Sequence, residues 1–459
     1  MAPNDRITVA CIGMGTQAFR EIGFLLGAPE VQIVAVCDPN KDSNDYVEWG
    51  KGSILNCIRG LLRDPDWRAN ESGCPGGREV GREVVEAYYA KRRGADKFKG
   101  CSVHADFREL LETVRDVDAV KVMTPDHLHA TVAIAALKKG KHVVMHKPVA
   151  NRLAEGRLVL EAARRATAQT HLLAYGAGAS NGLIVQQVRA GAIGRLREIH
   201  NWTNRPVWPQ YTEIPADRPP VPAGLDWDLW LGPALDRPYH PHYTHTVFRG
   251  WYDFGGGSMA DMGIYSLWPV FAGLELDAPV SAQAWATHTC AISNLVSRTV
   301  VNDFSYPAAC SIRFQFAAKG DRPALELFWY DGGMKPRLPE VVESQKAEMG
   351  REGILFVGDA GSILADFTGG NPRLFTPGKN EPLALGPRPE GDGMMLALKG
   401  KASPGSFLNA GSITDAVNLG TVALRAGTKV VFDSGAMRIT NAAGANKFMT
   451  RAYRAGWEL

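Results

Sequence analysis

Close to the N-terminus, a glycine-rich turn has residue types whose spacing suits phosphate binding. It follows the apolar segment ITVACI, opens a helix-like segment and has the pattern G-x-G-x-x-A. Its residues are Gly13, Met14, Gly15, Thr16, Gln17 and Ala18. In such a turn the first glycine makes a tight bend, the second lets backbone N–H groups approach a pyrophosphate, and the helix N-terminus adds free donors. The turn is therefore a candidate dinucleotide-binding site, although a glycine-rich turn can also be purely structural.

An acidic residue at the end of the next apolar segment strengthens this prediction. Asp38 follows VQIVAVC, about 20 residues beyond the turn, where a carboxylate can bind the ribose 2′-hydroxyl of a dinucleotide. Its negative charge would repel a 2′-phosphate. The sequence therefore predicts NAD as the cofactor and disfavours NADP.

A polar segment follows the apolar segment AVKVM and precedes a helix-like segment. It contains Thr124, Pro125, Asp126 and His127, and His129 lies on the helix that follows. Ligands of open parallel sheets bind at the carboxyl ends of the strands, so these five residues are candidate cofactor contacts. Two alternatives remain open: Thr124 or Asp126 can cap the helix, and a structural role is favoured for His129.

These residues must be positioned by alternating strands and helices. Between Ile7 and about Pro148, short apolar segments alternate with helix-like ones, which is typical of βαβ units with a parallel sheet. The predicted fold class is α/β, with an N-terminal Rossmann domain, a doubly wound parallel sheet, in residues 1–150. Residues from about 42 to 100 are long for a connection and are expected to form an insertion within it.

The rest of the chain, residues 151–459, is expected to form a second α/β domain. Segments such as VSAQAWATHT, CSIRFQFAAK and ALELFWYD alternate in the manner of strands covered on one face. They predict a large, mostly antiparallel open sheet. The segment SITDAVNLGTVALRAG predicts a helix, and the C-terminal tail is expected to pack back onto the domain.

Composition excludes several classes of protein. The 459 residues contain 51 Lys and Arg against 48 Asp and Glu, a net charge of +3, with no basic stripe to bind nucleic acid. No segment is long and apolar enough for a membrane span. The seven cysteines form no CxxC pair, which favours a reducing compartment, so we expect a cytoplasmic protein. They are Cys11, Cys37, Cys57, Cys74, Cys101, Cys290 and Cys310.

Segments along nearly the whole chain resemble the Gfo/Idh/MocA oxidoreductases. They are the glycine turn, CDP, MTPDHLHATVAIAALKKGKHVVMHKPVA, GAIGRLREIHNWTNRPVWPQ, WDLWLGP, RGWYDFGGGSMADMG and RAGWEL. The resemblance implies a Rossmann domain followed by an α/β domain with an open antiparallel sheet, often used for dimerisation. It also implies NAD(P)-dependent hydride transfer on sugars, cyclitols or related polyols, and a homodimer or homotetramer formed through the C-terminal sheet.

The resemblance implies site residues in three motifs, and this chain departs from the family in each of them. The family's catalytic lysine lies in a Glu-Lys-Pro motif, which corresponds to His146, Lys147 and Pro148, so a histidine replaces the glutamate. We expect His146 and Lys147 to contact the cofactor. In the second motif, G-D-x-G-x-H, the aspartate is kept as Asp261, but Tyr265 stands in place of the histidine. A third motif, around AYGAGAS, lacks the usual Gln and Arg.

Oxidation of a carbinol requires a group that takes the hydroxyl proton. A tyrosine, with its pKa near 10, is a poor base unless a cation lowers that pKa. We hypothesise that Lys147 is this cation and acts with Tyr265, while Asp261 orients the substrate or the base. The alternatives are a packed aromatic ring for Tyr265, a salt bridge for Lys147 and a helix cap for Asp261.

Three histidines lie together in PYHPHYTHT. His240, His242 and His245 have no cysteine or acid nearby in the sequence, so no metal site is predicted. A substrate-facing loop is favoured, and His245 is a candidate proton acceptor. Aromatic faces suit sugar rings, and we expect one or two of the tryptophans in the middle third to touch substrate. These are Trp202, Trp208, Trp227, Trp230, Trp251 and Trp268.

Three functions fit these observations. The favoured one is NAD-dependent dehydrogenation of a sugar, glycoside or cyclitol hydroxyl. The second is a redox-assisted glycosidase, in which transient ring oxidation permits elimination of the leaving group. The third is a nucleotide-binding sensor without catalysis, because the Glu, His and Arg positions of the family motifs are altered. Each predicts a small-molecule partner.

Overall fold

The computed structural model describes residues 6–95, 97–300, 302–388 and 391–459. Six parallel strands in this part of the chain form the first sheet: β1 (Ile7–Ile12), β2 (Val31–Cys37), β3 (Ser102–His104), β4 (Ala119–Val122), β5 (His142–Met145) and β6 (Thr170–Leu172). Their order is β3-β2-β1-β4-β5-β6, which is that of a doubly wound dinucleotide-binding sheet. The predicted Rossmann sheet is confirmed. The division of the chain at residue 150 stays a prediction, and β6 lies beyond that residue.

Helices pack on both sheets. In the described residues they are α1 (Thr16–Gly27), α2 (Ser53–Leu62), α3 (Arg78–Arg92), α4 (Phe107–Thr113), α5 (His129–Lys138), α6 (Leu153–Arg165), α7 (Ala179–Arg189), α8 (Trp227–Leu231), α9 (Ile264–Gly273), α10 (Glu340–Glu343), α11 (Gly393–Leu398) and α12 (Gly411–Ala426). None of the helices in these residues is both long and apolar enough to cross a membrane.

The segment between β2 and β3 packs against the glycine turn. It carries α2 and α3, and the N–H of Gly77, just before α3, donates to the carbonyl oxygen of Met14 at 2.8 Å. Gly81 in α3 lies so close to Met14 that a Cβ there would come within 2.7 Å of the methionine Cε. This segment therefore forms one wall of the first domain beside the turn.

The second sheet has ten strands: β7 (Leu196–Trp202), β8 (Ser281–Ala286), β11 (Cys310–Phe316), β12 (Leu325–Tyr330), β13 (Gly353–Gly358), β14 (Ser362–Asp366), β15 (Arg373–Thr376), β16 (Lys379–Pro382), β17 (Val430–Asp433) and β18 (Arg438–Ile439). The exposed hairpin of β9 (Cys290–Ser293) and β10 (Val296–Thr299) lies apart. The order is β16-β15-β14-β13-β7-β12-β11-β8-β17-β18, and every pair is antiparallel except β7 with β12. The predicted large, mostly antiparallel sheet is confirmed, while association of copies through it stays a prediction.

Helix α12 joins the two parts of the molecule. Its residues from Ile413 to Ala423 are buried, Asp415 pairs with Arg157 of α6, and Gly420 lies against Phe314 of β11. The C-terminal tail adds a second tie, because Arg451 pairs with the buried Glu155 at 2.6 Å. These contacts fix α6 against α12 and the C-terminal tail, and α12 against the second sheet.

Candidate active site

The glycine turn lies at the bottom of a cleft between the two sheets. Gly13 directly follows β1 and has φ +93°, and a Cβ there would lie 2.6 Å from the carbonyl group of Met123, which directly follows β4. Only glycine fits this approach. Gly15 immediately precedes α1, and Thr16 and Gln17 of its first turn line the cleft. The chain therefore presents a helix N-terminus and open backbone where a pyrophosphate would bind.

Asp38 lies beside this turn at the end of β2. Its carboxylate accepts hydrogen bonds from the N–H groups of Met14, at 2.7 Å, and Asn40, at 2.8 Å. Burial raises the pKa of Asp38, and the two backbone donors oppose that rise. The carboxylate lines the cleft, which is the position from which a ribose hydroxyl can be bound.

The next two strand ends complete the carboxyl edge of the first sheet. Thr124 and Pro125 follow β4, and His146 and Lys147 follow β5, and all four line the cleft. Behind them His129 bridges the two connections, with Nδ1 2.6 Å from the carbonyl oxygen of Pro148 and Nε2 3.0 Å from that of Thr124. This bridge fixes the segment that carries Lys147 against the segment that follows β4.

Lys147 forms an ion pair across the cleft with Asp261. Asp261 lies in the single π-helical turn Met259–Gly263, directly before α9, a type of turn that often marks functional sites. Burial lowers the pKa of Lys147, and the charge of Asp261 opposes that. Burial alone would raise the pKa of Asp261, but the charges of Lys147, Arg249 and Arg205 bring it below the ordinary value. Asp261 therefore remains ionised and fixes the ammonium group.

A chain of polar groups runs from the cleft into the first domain. The hydroxyl of Tyr265 shares a hydrogen bond of 3.0 Å with Nε2 of His146. The same nitrogen lies 3.5 Å from Oε1 of Glu21, a partly buried residue of α1. Glu21 accepts from Gln17 at 2.7 Å and pairs with the buried Lys121 at 3.2 Å. These contacts connect the phenol of Tyr265 at the cleft to the imidazole of His146, the carboxylate of Glu21 and the ammonium group of Lys121.

Comparisons with known proteins agree with this geometry. Residues 74–173 match the profile of an oxidoreductase family with an NAD-binding Rossmann fold, and residues 194–323 match that family's C-terminal alpha/beta domain. The chain belongs to the Gfo/Idh/MocA oxidoreductase family. The resemblance seen in the sequence and the predicted NAD-binding fold are both confirmed.

Several known proteins are similar to parts of the chain. A levoglucosan dehydrogenase of Pseudarthrobacter phenanthrenivorans is 33% identical over 94 residues, 20% of this chain and 24% of that protein. A glycosyl hydrolase family 109 protein of Solibacter usitatus is 26% identical over 199 residues, 42% of this chain and 36% of that protein. The chain thus spans about a quarter to a third of the length of these relatives. The WlbA dehydrogenase of Bordetella pertussis, solved with NADH and UDP-GlcNAcA, shares the fold: the TM-score is 0.54 at 14% identity, covering 93% of this chain and 99% of that one.

Four of the residues predicted at the cofactor have buried side chains that do not line the cleft. Met14 is buried under α3, and Asp126 accepts a hydrogen bond from the N–H of Gly256 at 3.0 Å. His127 contacts the carbonyl oxygen of Trp230 at 3.0 Å, and burial lowers its pKa to about 3. His129 bridges the two strand ends. Each of these side chains has a buried partner on the protein side of its turn, and their contact with a cofactor stays a prediction.

The structure brings Tyr265 and Lys147 together, but the phenol oxygen has another partner. The ammonium group lies over the tyrosine ring, 5.1 Å from its centroid, while the hydroxyl is bonded to His146. Burial raises the pKa of Tyr265 well above 10, and Asp261 and Glu21 add to that. Lys147 does not lower the pKa because Asp261 neutralises its charge and because it faces the ring, not the oxygen.

The histidine cluster separates in the structure. His245 lines the cleft on the side of the glycine turn, where its Nε2 lies 3.3 Å from Asp45 and its ring 4.0 Å from that of Tyr46. In the described ranges no hydrogen bond or ion pair joins it to Lys147 or Tyr265, and its role as a proton acceptor stays a prediction. His240 pairs with Asp217 instead. Among the residues that the structure describes, no three potential metal ligands converge.

Other residues of the cleft were not singled out from the sequence. Arg205 and Arg249 approach Asp261, and Tyr46 and Trp49 reach the cleft from the β2–β3 connection. The two arginines lie in segments that carry the family resemblance, NRPVWPQ and RGWYDF, which was the available signal. Nothing in the sequence marked Tyr46 or Trp49. Of the six tryptophans named above, Trp230 lines this cleft.

Proposed function

We propose that this protein is an NAD-dependent dehydrogenase that oxidises a hydroxyl group of a carbohydrate or cyclitol. The observation that carries the proposal is that one cleft contains both the dinucleotide cradle, with Gly13 and Asp38, and the Lys147–Asp261 pair. A cradle without the pair would fit a binding protein. The two together fit catalysis on a bound small molecule.

The residues of the cradle fit a nicotinamide dinucleotide. Gly13 and Gly15 line the cleft just before the start of α1, and Asp38 supplies a carboxylate for a ribose hydroxyl. That carboxylate would repel a 2′-phosphate, which favours NAD over NADP. When bound, the dinucleotide would supply the hydride acceptor.

Lys147 is the group we assign to the charge that develops on the substrate oxygen. As the hydroxyl loses its proton, a fixed ammonium group in a buried site stabilises the oxyanion strongly. Asp261 holds the ammonium in place through their ion pair. Substrate entry would bring the hydroxyl to Lys147 and Tyr265, which line the same cleft.

The Tyr265–His146 contact supplies a route for the proton. The phenol is neutral at physiological pH because its pKa is raised, so it can accept the substrate proton only while passing its own to Nε2 of His146. Burial, together with the charges of Lys147 and Arg249, holds the pKa of His146 well below 6.5, so the imidazole is neutral with a nitrogen free to accept, but it is a weak base and needs an anion beside it to hold the proton. Glu21 then stabilises the protonated ring at 3.5 Å.

The assignment of a carbohydrate substrate is supported by the relatives and by the lining of the cleft. One relative is named as a dehydrogenase of levoglucosan. Trp49 and Trp230 line the cleft and offer flat apolar faces of the kind that pack on sugar rings.

Redox-neutral glycoside cleavage is the second candidate function. It is favoured by one specific observation: the glycosyl hydrolase family 109 relative aligns over 42% of this chain. Both functions use the same initial oxidation, so the cleft residues keep the roles given above.

One assay separates the candidates. Purified protein is incubated with NAD and a panel of sugars, cyclitols and nitrophenyl glycosides, and absorbance reports NADH and nitrophenol. NADH formation with a free sugar or cyclitol supports the dehydrogenase. Nitrophenol release without net NADH supports the glycosidase and contradicts the first proposal. NAD binding with neither product would contradict both and favour a sensor.

A further inference from the structure

Two arginines lie close to the carboxylate of Asp261, which is already ion-paired with Lys147. Nε of Arg249 lies 3.3 Å from Oδ1 of Asp261, and Nε of Arg205 lies 4.0 Å from Oδ2. Lys147 is ion-paired with the same carboxylate. Three cations therefore surround one anion in the part of the cleft where we place the reacting hydroxyl.

The other acids of the neighbourhood do not balance this charge. Asp126 is nearest, with Oδ1 4.0 Å from Arg249, but it is buried and its second oxygen is bonded to the N–H of Gly256. Glu21 is paired with Lys121, and Asp38 lies at the glycine turn. Counting Lys147 and the two arginines against Asp261 and Asp126 leaves one positive charge.

The two guanidinium groups also have unused donors. Neither Arg205 nor Arg249 donates a side-chain hydrogen bond to any residue that the structure describes, although their side chains are only 25% and 14% exposed. Buried arginines elsewhere in the chain are bonded: Arg152 donates to the carbonyl oxygens of Asn151 and Tyr252. A buried hydrogen-bond donor without a partner costs free energy. We therefore expect the guanidinium N–H groups at the wall of the cleft to bind a ligand.

Aromatic side chains hold both guanidinium groups near the cleft. Arg249 lies 4.7 Å from the ring centroid of Phe248, and Arg205 lies 5.9 Å from that of Trp49. Contacts of this kind fix the plane of a guanidinium while leaving its N–H edge free. That edge matches a carboxylate, which accepts two parallel hydrogen bonds from arginine.

We infer that the substrate carries a carboxylate group, bound by Arg205 and Arg249 beside Lys147, so that the protein acts on a sugar acid. This inference rests on the proposed function and narrows its substrate class. The single surplus positive charge matches a monoanionic carboxylate. A dianionic phosphate would leave the site negative.

Equilibrium binding tests the inference without requiring turnover. The NAD-loaded protein is titrated calorimetrically with glucuronate, galacturonate and gluconate, with the neutral sugars glucose and galactose, and with glucose 6-phosphate. At least one acid should bind tenfold or more tightly than every neutral sugar. Arg249→Gln and Arg205→Gln should each reduce that preference at least tenfold, while Arg197→Gln, at an exposed residue of β7, should not. NAD titration of each variant shows that the cradle is folded.

The outcomes separate the substrate class from the reaction. Equal binding of acids and neutral sugars, or a preference that survives both cleft substitutions, would overturn the inference while leaving the dehydrogenase intact. Tighter binding of the phosphate would also overturn it and assign a phosphate site. If an acid binds preferentially but its incubation with NAD yields no NADH, the result would support the carboxylate site and would contradict only the proposed oxidation.

Discussion

The hydroxyl of Tyr265 lies 3.0 Å from Nε2 of His146, so two of the residues at which this chain departs from the family motifs contact each other. One precedes Lys147 at the end of β5, and the other lies in the first turn of α9. The family histidine is absent from α9, but an imidazole reaches the same cleft from β5. The two substitutions therefore compensate each other, because a histidine ring still lies beside Lys147, the residue that corresponds to the family's lysine.

Removing either partner should stop proton transfer without removing the cofactor. Tyr265→Phe and His146→Gln are each expected to lower kcat by about 10²- to 10⁴-fold, the usual contribution of a positioned acid–base group. Because both residues act in the same proton-transfer route, kcat of the double variant should be little lower than that of either single variant. Tyr175→Phe, at a half-exposed tyrosine outside this cleft, is the control. Additive losses in the double variant would contradict the shared route.

The pH dependence of the rate follows from His146. Burial and the neighbouring charges of Lys147 and Arg249 lower its pKa well below 6.5, so the ring stays neutral above that pH and loses its acceptor function only in more acidic solution. The acid limb of kcat against pH should therefore lie below pH 6.5. Steady-state rates between pH 5 and 9 measure it. An acid limb at or above pH 6.5 would exclude His146 as the acceptor.

Lys147→Met should separate binding from chemistry. Loss of the ammonium group removes stabilisation of the substrate oxyanion, and kcat should fall by about 10²- to 10³-fold. The glycine cradle is untouched, so the affinity for NAD, measured by fluorescence titration of NADH, should change little. Lys139→Met, at an exposed ion pair with Glu112, is the matched control. Unchanged turnover in Lys147→Met would remove this residue from the mechanism.

Local patterns predicted those parts of the site that local geometry determines. Gly13 is fixed by a turn that forms between β1 and α1, and Asp38 by the end of β2, so both were found from spacing. The direction of the side chains in the turn after β4 could not be predicted from spacing, because a shift of one residue moves a side chain from the cleft to the core, as for His127. Contacts between distant segments were beyond local patterns as well.

The clearest case of such a distant contact is the pairing of His245 with Asp45. The two residues lie 200 positions apart and meet only because the β2–β3 connection packs against the segment before α9. His245 is the last of three histidines in PYHPHYTHT, and that pattern gave no sign of its partner. The same packing brings Tyr46 and Trp49 to the cleft. Sequence thus predicted the cradle and Lys147, while the residues that close the cleft required the structure.

Asp38→Ser tests the choice of dinucleotide. Loss of the carboxylate removes the ribose contact and the repulsion of a 2′-phosphate, so NADH should bind more weakly and NADPH more tightly than in the wild type. The guanidinium of Arg78, which donates to the carbonyl oxygens of Asp38 and Pro39, remains nearby as a cation. Fluorescence titration gives both constants. Asp42→Ser, which alters an exposed ion pair with Arg68, is the control, and an unchanged ratio of the two constants would place the ribose elsewhere.

Acid stability should depend on His127, which is fully buried between Trp230 and Phe254. Burial lowers its pKa to about 3 in the folded chain, against about 6.5 in the unfolded chain. The unfolded state therefore binds more protons between these values, so the stabilisation is complete above pH 6.5 and is lost as pH falls towards 3. The full loss is about 5 kcal/mol, of which about 2 kcal/mol falls between pH 7 and pH 5.

His127→Asn should be less stable at pH 7, because the packing is poorer, but its free energy of unfolding should fall about 2 kcal/mol less than that of the wild type between pH 7 and pH 5. Denaturant unfolding at the two pH values measures the difference. His288→Asn, at an exposed histidine, should follow the wild type. If His127→Asn lost as much stability on acidification as the wild type, the imidazole would already carry a proton in the folded protein, and its contact with the carbonyl oxygen of Trp230 would be that of a cation.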